Sequence, residues 1–136
     1  MRATAHRTGT FAHRVTVRDH VMSVDEPESK GGADIAPNPQ EMLAVSLASC
    51  TAITMEMYAR RKGWDLGPVE VRCDYEPAER GCPTRFKLVM RLPGDLSEEQ
   101  ITKLSTIAAK CPVHRTLDGE VMFDERVELI KAPQPV

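Results

Sequence analysis

The stretch Asn38–Lys62 limits what this chain can fold into more than any other. Asn38 is a good helix N-cap, Pro39 suits the first helical position, and Glu41 stands where a capping box needs an acid. At the far end Arg60, Arg61 and Lys62 face the negative end of the helix dipole, and Gly63 suits a left-handed C-terminal cap. Between Met42 and Met55 there is no charged residue. The polar residues there, Ser46, Ser49, Thr51 and Thr54, are all small, so no face reads as solvated. A helix that is apolar nearly all round is buried or crosses a membrane. The uncharged run is shorter than the roughly 20 residues of a bilayer span, which predicts a central buried helix with Cys50 at its middle.

A chain of 136 residues is expected to form one domain, residues 1–136. A helix of about seven turns is hard to cover with what remains, so a second copy completing the core is expected. The net charge is −2, from 18 basic and 20 acidic residues, which suggests neither a nucleic-acid partner nor a membrane surface. Arg2, Arg7, Arg14 and Arg18 precede the first acid, as in a transit peptide or a basic arm. However, Phe11, His13, Val15 and Val17 alternate with Ala12, Arg14, Thr16 and Arg18, the period of a strand with one wet basic face. With no apolar leader, a cytoplasmic protein is expected, with Cys50, Cys73, Cys82 and Cys111 reduced. The four contain no Cys-x-x-Cys pair and do not resemble a zinc framework.

The rest of the chain reads as alternating elements. Thr10–Arg18 and Val21–Asp25 are expected strands of a hairpin turning at Asp19 and His20. Glu26–Pro37 has turn composition and leads into the long helix. Val69, Val71, Cys73 and Tyr75, then Phe86, Leu88, Met90 and Leu92, mark two half-buried strands that pair. Ser97 with Gln100 opens a second helix, whose apolar stripe is Ile101, Leu104, Ile107 and Ala108. Cys111 before Pro112 predicts an N-cap and a short helix, Pro112–Leu117. Val121–Ile130 is read as a last strand and Ala132–Val136 as a frayed tail. The order ββ-α-ββ-α-α-β gives an α+β fold with antiparallel sheet.

Among the cysteines, Cys50 alone can be a small packed hydrophobe. Mid-helix, a thiolate there gains nothing from the dipole's positive end, so a cation must come from elsewhere. Ser46 and Thr54, one turn either side, are candidate hydrogen-bond donors. Cys111 is better placed, at a helix N-terminus with His114 and Arg115 one turn on. Cys73, on the apolar side of a strand, and Cys82, in a loop, read as structural. Glu41 is half a turn out of phase with Cys50 and about 13 Å along the axis, which favours capping over chemistry.

Asn38-Pro39 with Glu41-Met42-Leu43, then Ala48-Ser49-Cys50, and later Lys110-Cys111-Pro112-Val113, resembles the OsmC/Ohr family of organic-hydroperoxide-related proteins. The resemblance implies an OsmC-like fold: an intertwined homodimer whose antiparallel strands wrap two central helices. It also implies a thiol peroxidase with a hydroperoxide substrate and a dithiol reductant, needing no metal or organic cofactor. Cys50 would form a sulfenic acid, and Cys111 would resolve it. Two positions depart from the family pattern. The acid that follows Asn-Pro in the peroxidases is Gln40 here, with Glu41 one residue later. The arginine they bring from upstream is missing between Glu26 and Asn38, where only Lys30 is basic, leaving Arg14, Arg18 and Arg115 as other cations. A peroxidase slower than the family's dedicated members is therefore expected. Two alternatives stand beside it: a non-catalytic dimer that binds a small hydrophobic ligand, and a redox sensor.

Overall fold

The computed structural model describes residues 1–130. Its longest element is α1, Pro39–Lys62, capped at both ends as the sequence implies. Asn38 Oδ1 accepts the Glu41 N–H at 2.7 Å, and Glu41 Oε1 accepts the Asn38 N–H at 3.0 Å. Gly63, at φ +72°, closes the helix in the left-handed region, and its N–H donates to the carbonyls of Ala59 and Arg60. Burial departs from the expectation. Only the stripe Leu47, Thr51, Met55 and Ala59 is buried, at the four-residue spacing that keeps one face on the core. Leu43, Val45, Ile53 and Met57 stay 40–60% exposed, because one chain supplies neighbours on one side only. By length and composition α1 could cross a membrane, but its buried stripe belongs to the core described below.

Before α1 lies an antiparallel sheet in the order β1-β2-β3, made of Thr4–Arg7, His13–Val17 and His20–Val24. β2 and β3 form the expected hairpin, with β2 shorter than read and β3 the same length but one residue earlier. Val17 pairs with His20, so the turn is Arg18-Asp19, with Arg18 at φ +53°. β1 was not expected; it pairs with β2 from Thr4↔Thr16 to Arg7↔His13. Thr-Ala-His-Arg has one β-branched residue, Thr4, and no apolar alternation, so the β2 edge beside it makes it a strand.

A second antiparallel sheet pairs β4, Glu70–Glu76, with β5, Arg85–Arg91. Val71, Cys73 and Tyr75 oppose Met90, Leu88 and Phe86 on its apolar face, against which α1 packs. The Tyr75 and Phe86 rings lie 5.0 Å apart. The outer edges carry Glu70–Arg72, Glu76–Lys87 and Glu70–Arg91 ion pairs. α2, Glu98–Ala108, has the expected reciprocal cap between Ser97 and Gln100. It buries Leu104 and Ala108 against Met55, Ala59 and Leu66, and Tyr58, Trp64 and Val71 pack around them. α3, Pro112–Leu117, follows at the expected place.

Val121–Ile130 is not a strand. Val121, Met122, Phe123, Val127, Leu129 and Ile130 are 54–97% exposed and pair with nothing among the described residues. Alternation marks a segment able to pair, but a strand forms only where a second edge offers its N–H and C=O groups. The expected tail Ala132–Val136 lies outside the described residues.

Candidate functional site

Two cysteines meet the middle of the fold from different elements. Cys50 is half-buried on α1, three residues after Leu47 and seven after Leu43, hence on their side of the helix. Cys111 is the N-cap of α3 and is completely buried. Its sulfur accepts the His114 N–H at 3.3 Å, as the Cys-Pro pair implies. On its other side, 3.7 Å away, is the Oγ1 of Thr51. Thr51 directly follows Cys50, so α3 docks on the turn of α1 that carries Cys50.

Of the hydroxyls expected around Cys50, Ser46 is committed elsewhere: it donates to the Met42 carbonyl at 2.8 Å. Ser49 does the same to Val45 at 2.7 Å. In an apolar helix a small hydroxyl is most easily satisfied by the carbonyl one turn back. Thr51 makes the contact to Cys111, and sequence reasoning did not single it out. The other two cysteines stand where they were read. Cys73 points to the apolar face of β4, where burial first and the Asp74 charge second raise its thiol pKa. Cys82 is exposed and bridges to Glu79.

A groove of about 490 Å³ runs between α1, the β4–β5 sheet and α3; neither cysteine lines it, but Leu47, one turn before Cys50, and His114, whose N–H donates to Cys111, both do. Leu43, Leu47, Tyr75, Phe86, Leu88 and Leu117 give it apolar walls, and Thr84, His114 and Asp118 give it polar groups. The supporting residues are scattered. The Glu41 carboxylate is spent on the cap; with Cys73 and Asp74 it lines a different hollow, across α1 from Cys50. Gln40 is exposed on the first turn of α1, Lys30 ends the 3₁₀ turn Glu28–Lys30, Arg18 is at the β2–β3 turn, and Arg115 is exposed on α3. Among the described residues, none of Lys30, Arg14, Arg18 and Arg115 forms an ion pair. No three His, Cys, Asp or Glu side chains converge as metal ligands among those residues.

Asp25 was also missed. It is buried at the end of β3, and its carboxylate gathers the loop that enters α1. It accepts the Glu26 N–H at 2.7 Å and the Ala33 and Ile35 N–H groups at 3.2 Å each. The Glu26 N–H does most to hold its carboxyl below the usual value; burial opposes, and the Ile35 and Ala33 N–H groups add to the lowering. An aspartate before a Pro- and Gly-containing loop is the sequence sign of such a turn, since its side chain caps nearby backbone N–H groups.

These features define a class: α+β proteins with two antiparallel sheets, a long helix carrying one cysteine at mid-length, and a second cysteine capping a short helix packed against it. The profile of the OsmC-like protein family matches residues 31–126, and the chain belongs to that family. An uncharacterized protein of Haloferax volcanii is 26% identical over 119 residues, 86% of each chain. The OsmC-like protein of Mycoplasma pneumoniae shares the fold at TM-score 0.72 and 18% identity, over 87% of this chain and 86% of that one. The organic hydroperoxide resistance protein OhrB of Bacillus subtilis shares it at TM-score 0.59 and 20% identity, over 87% and 90%.

Proposed function

We propose that this protein is a cytoplasmic, homodimeric thiol peroxidase that reduces organic hydroperoxides or hydrogen peroxide. The Cys50 thiolate attacks one oxygen of the peroxide bond; the O–O bond breaks, and the other oxygen leaves as an alcohol or water after taking a proton. Cys50 is then a sulfenic acid. The Cys111 thiolate attacks the Cys50 sulfur, the S–O bond breaks, and hydroxide leaves as water with a proton. An external dithiol reduces the resulting disulfide and ends as its own disulfide.

The observation that carries the reading is the docking of Cys111 against Thr51, the neighbour of Cys50 in the chain. Family membership and the fold shared with an organic hydroperoxide resistance protein support it. The groove beside Leu43 and Leu47 offers apolar walls for the organic part of a hydroperoxide. Lys30, Arg14, Arg18 and Arg115 are the cations from which a partner for the Cys50 thiolate is drawn.

The test is consumption of cumene hydroperoxide by the purified protein with dithiothreitol as reductant. Cys50→Ser is expected to reduce turnover to the uncatalysed background. Cys111→Ser is expected to keep one round of Cys50 oxidation and leave the sulfenic acid trappable by dimedone. Full turnover by the Cys50→Ser protein would overturn the proposal. The same groove also favours a second reading, a dimer that binds a small hydrophobic molecule without turning it over. That reading gains if the wild-type protein consumes no peroxide yet binds an apolar fluorophore that Leu43→Arg, at an exposed groove position, excludes.

A further inference from the structure

We propose that Thr51 is the positioning residue for Cys111, and that its hydroxyl sets how fast Cys111 closes the disulfide onto oxidised Cys50. The inference rests on the peroxidase reading. Four other helical hydroxyls turn back on their own backbone: Ser46, Ser49, Thr106 and Thr116 each donate to the carbonyl four residues earlier. Thr51 instead reaches across to α3, where its Oγ1 lies 3.7 Å from the Cys111 sulfur. Both groups are closed to solvent, Thr51 at 2% exposure and Cys111 at 0%.

As a thiol, Cys111 can give or accept the hydrogen bond to Thr51. As a thiolate it can only accept, so the Thr51 hydroxyl and the His114 N–H become its two donors. Hydrogen bonds to a charged atom are the stronger kind, so the two donors hold the sulfur most firmly in the form that must attack. The contact also fixes place. Thr51 follows Cys50 in the chain but leaves the helix about 100° round from it, so the contact holds the Cys111 sulfur on the turn of α1 that carries Cys50.

The step served is the resolution written above. Cys50 sulfenic acid, formed by a hydroperoxide, loses its oxygen as water while the Cys111 sulfur forms the new S–S bond. Thr51 supplies no proton or electron to the products. It holds the attacking sulfur and releases it when the disulfide forms.

The experiment treats reduced full-length protein with one equivalent of cumene hydroperoxide. Sulfenic acid is quenched with dimedone at timed intervals, and adduct and disulfide are counted by mass spectrometry. Wild type, Thr51→Val, Thr51→Ser and Cys111→Ser are compared. Thr51→Val keeps the shape and removes the hydroxyl; it should lengthen the interval between Cys50 oxidation and disulfide by at least about tenfold, the lower end of the worth of one hydrogen bond to a charged group. Thr51→Ser, which restores the donor, should return the interval to near the wild-type value. A packing role alone would predict the reverse order, since valine fills the site and serine leaves a methyl-sized gap. Should Thr51→Val lose its native circular dichroism, Thr51→Ala makes the same comparison. A wild-type interval in Thr51→Val, with Cys50 oxidised normally, overturns the role of Thr51 and leaves the peroxidase reading standing. Absence of Cys50 oxidation in the wild type overturns both.

Discussion

Asp25 shows how one side chain can organise the approach to α1. Its oxygens take three backbone N–H groups from Glu26, Ala33 and Ile35. The Glu26 N–H leads in holding the carboxyl below its ordinary 3.8, against burial, and the Ile35 and Ala33 N–H groups assist. A carboxyl whose folded pKa lies below its unfolded one adds stability above the unfolded value and loses it as pH falls through the folded one. Asp25→Asn should therefore lower the urea midpoint at pH 7, and its gap from wild type should shrink below about pH 4. Equal midpoints at pH 7, or a gap that ignores pH, would contradict this. Gly32 in the same loop has no room for a side chain: an added Cβ would sit 2.0 Å from the Glu26 carbonyl oxygen. Gly32→Ala is expected to cost about 1–3 kcal/mol, read from thermal or urea unfolding. The kind of turn left its sign in the chain, an aspartate before a Pro- and Gly-containing loop, but its partners did not. The residue types were visible, but which N–H groups converge on Asp25, or which sulfur meets Thr51, depends on how distant segments pack.

At the scale of elements, legibility followed where the determinants lie. The ends of α1 and α2 were readable because caps are local: Asn38 with Glu41, and Ser97 with Gln100, satisfy backbone groups within three residues. The β4–β5 pair was readable from its alternation. β1 was not, because nothing in Thr4–Arg7 marks a strand except the β2 edge beside it. Val121–Ile130 erred the other way, carrying strand-like residues with no edge to meet among the described residues. Asn38→Ala should cost about 1 kcal/mol of stability through the lost cap. Leu104→Ala, in the fully buried contact between α2 and α1, should cost about 2–5 kcal/mol. Denaturant unfolding that ranked the cap above the core leucine would contradict this order.

For the whole molecule, the exposed apolar surface points to a second copy. Leu43, Val45, Ile53 and Met57 on α1, with Val121, Phe123, Val127 and Leu129 near the C-terminus, are apolar residues left open by one chain. Sedimentation velocity at micromolar concentration should give a dimer, with an interface above the roughly 2,000 Å² at which permanent interfaces begin. A folded monomer there would contradict it. The central claim concerns which two sulfurs react. The direct measurement is peptide mapping of the reduced protein after one equivalent of an alkyl hydroperoxide. The account predicts a disulfide joining Cys50 to Cys111, with Cys73 and Cys82 free. A dominant bridge from Cys50 to Cys82, or Cys50 and Cys111 both still reduced, would contradict it.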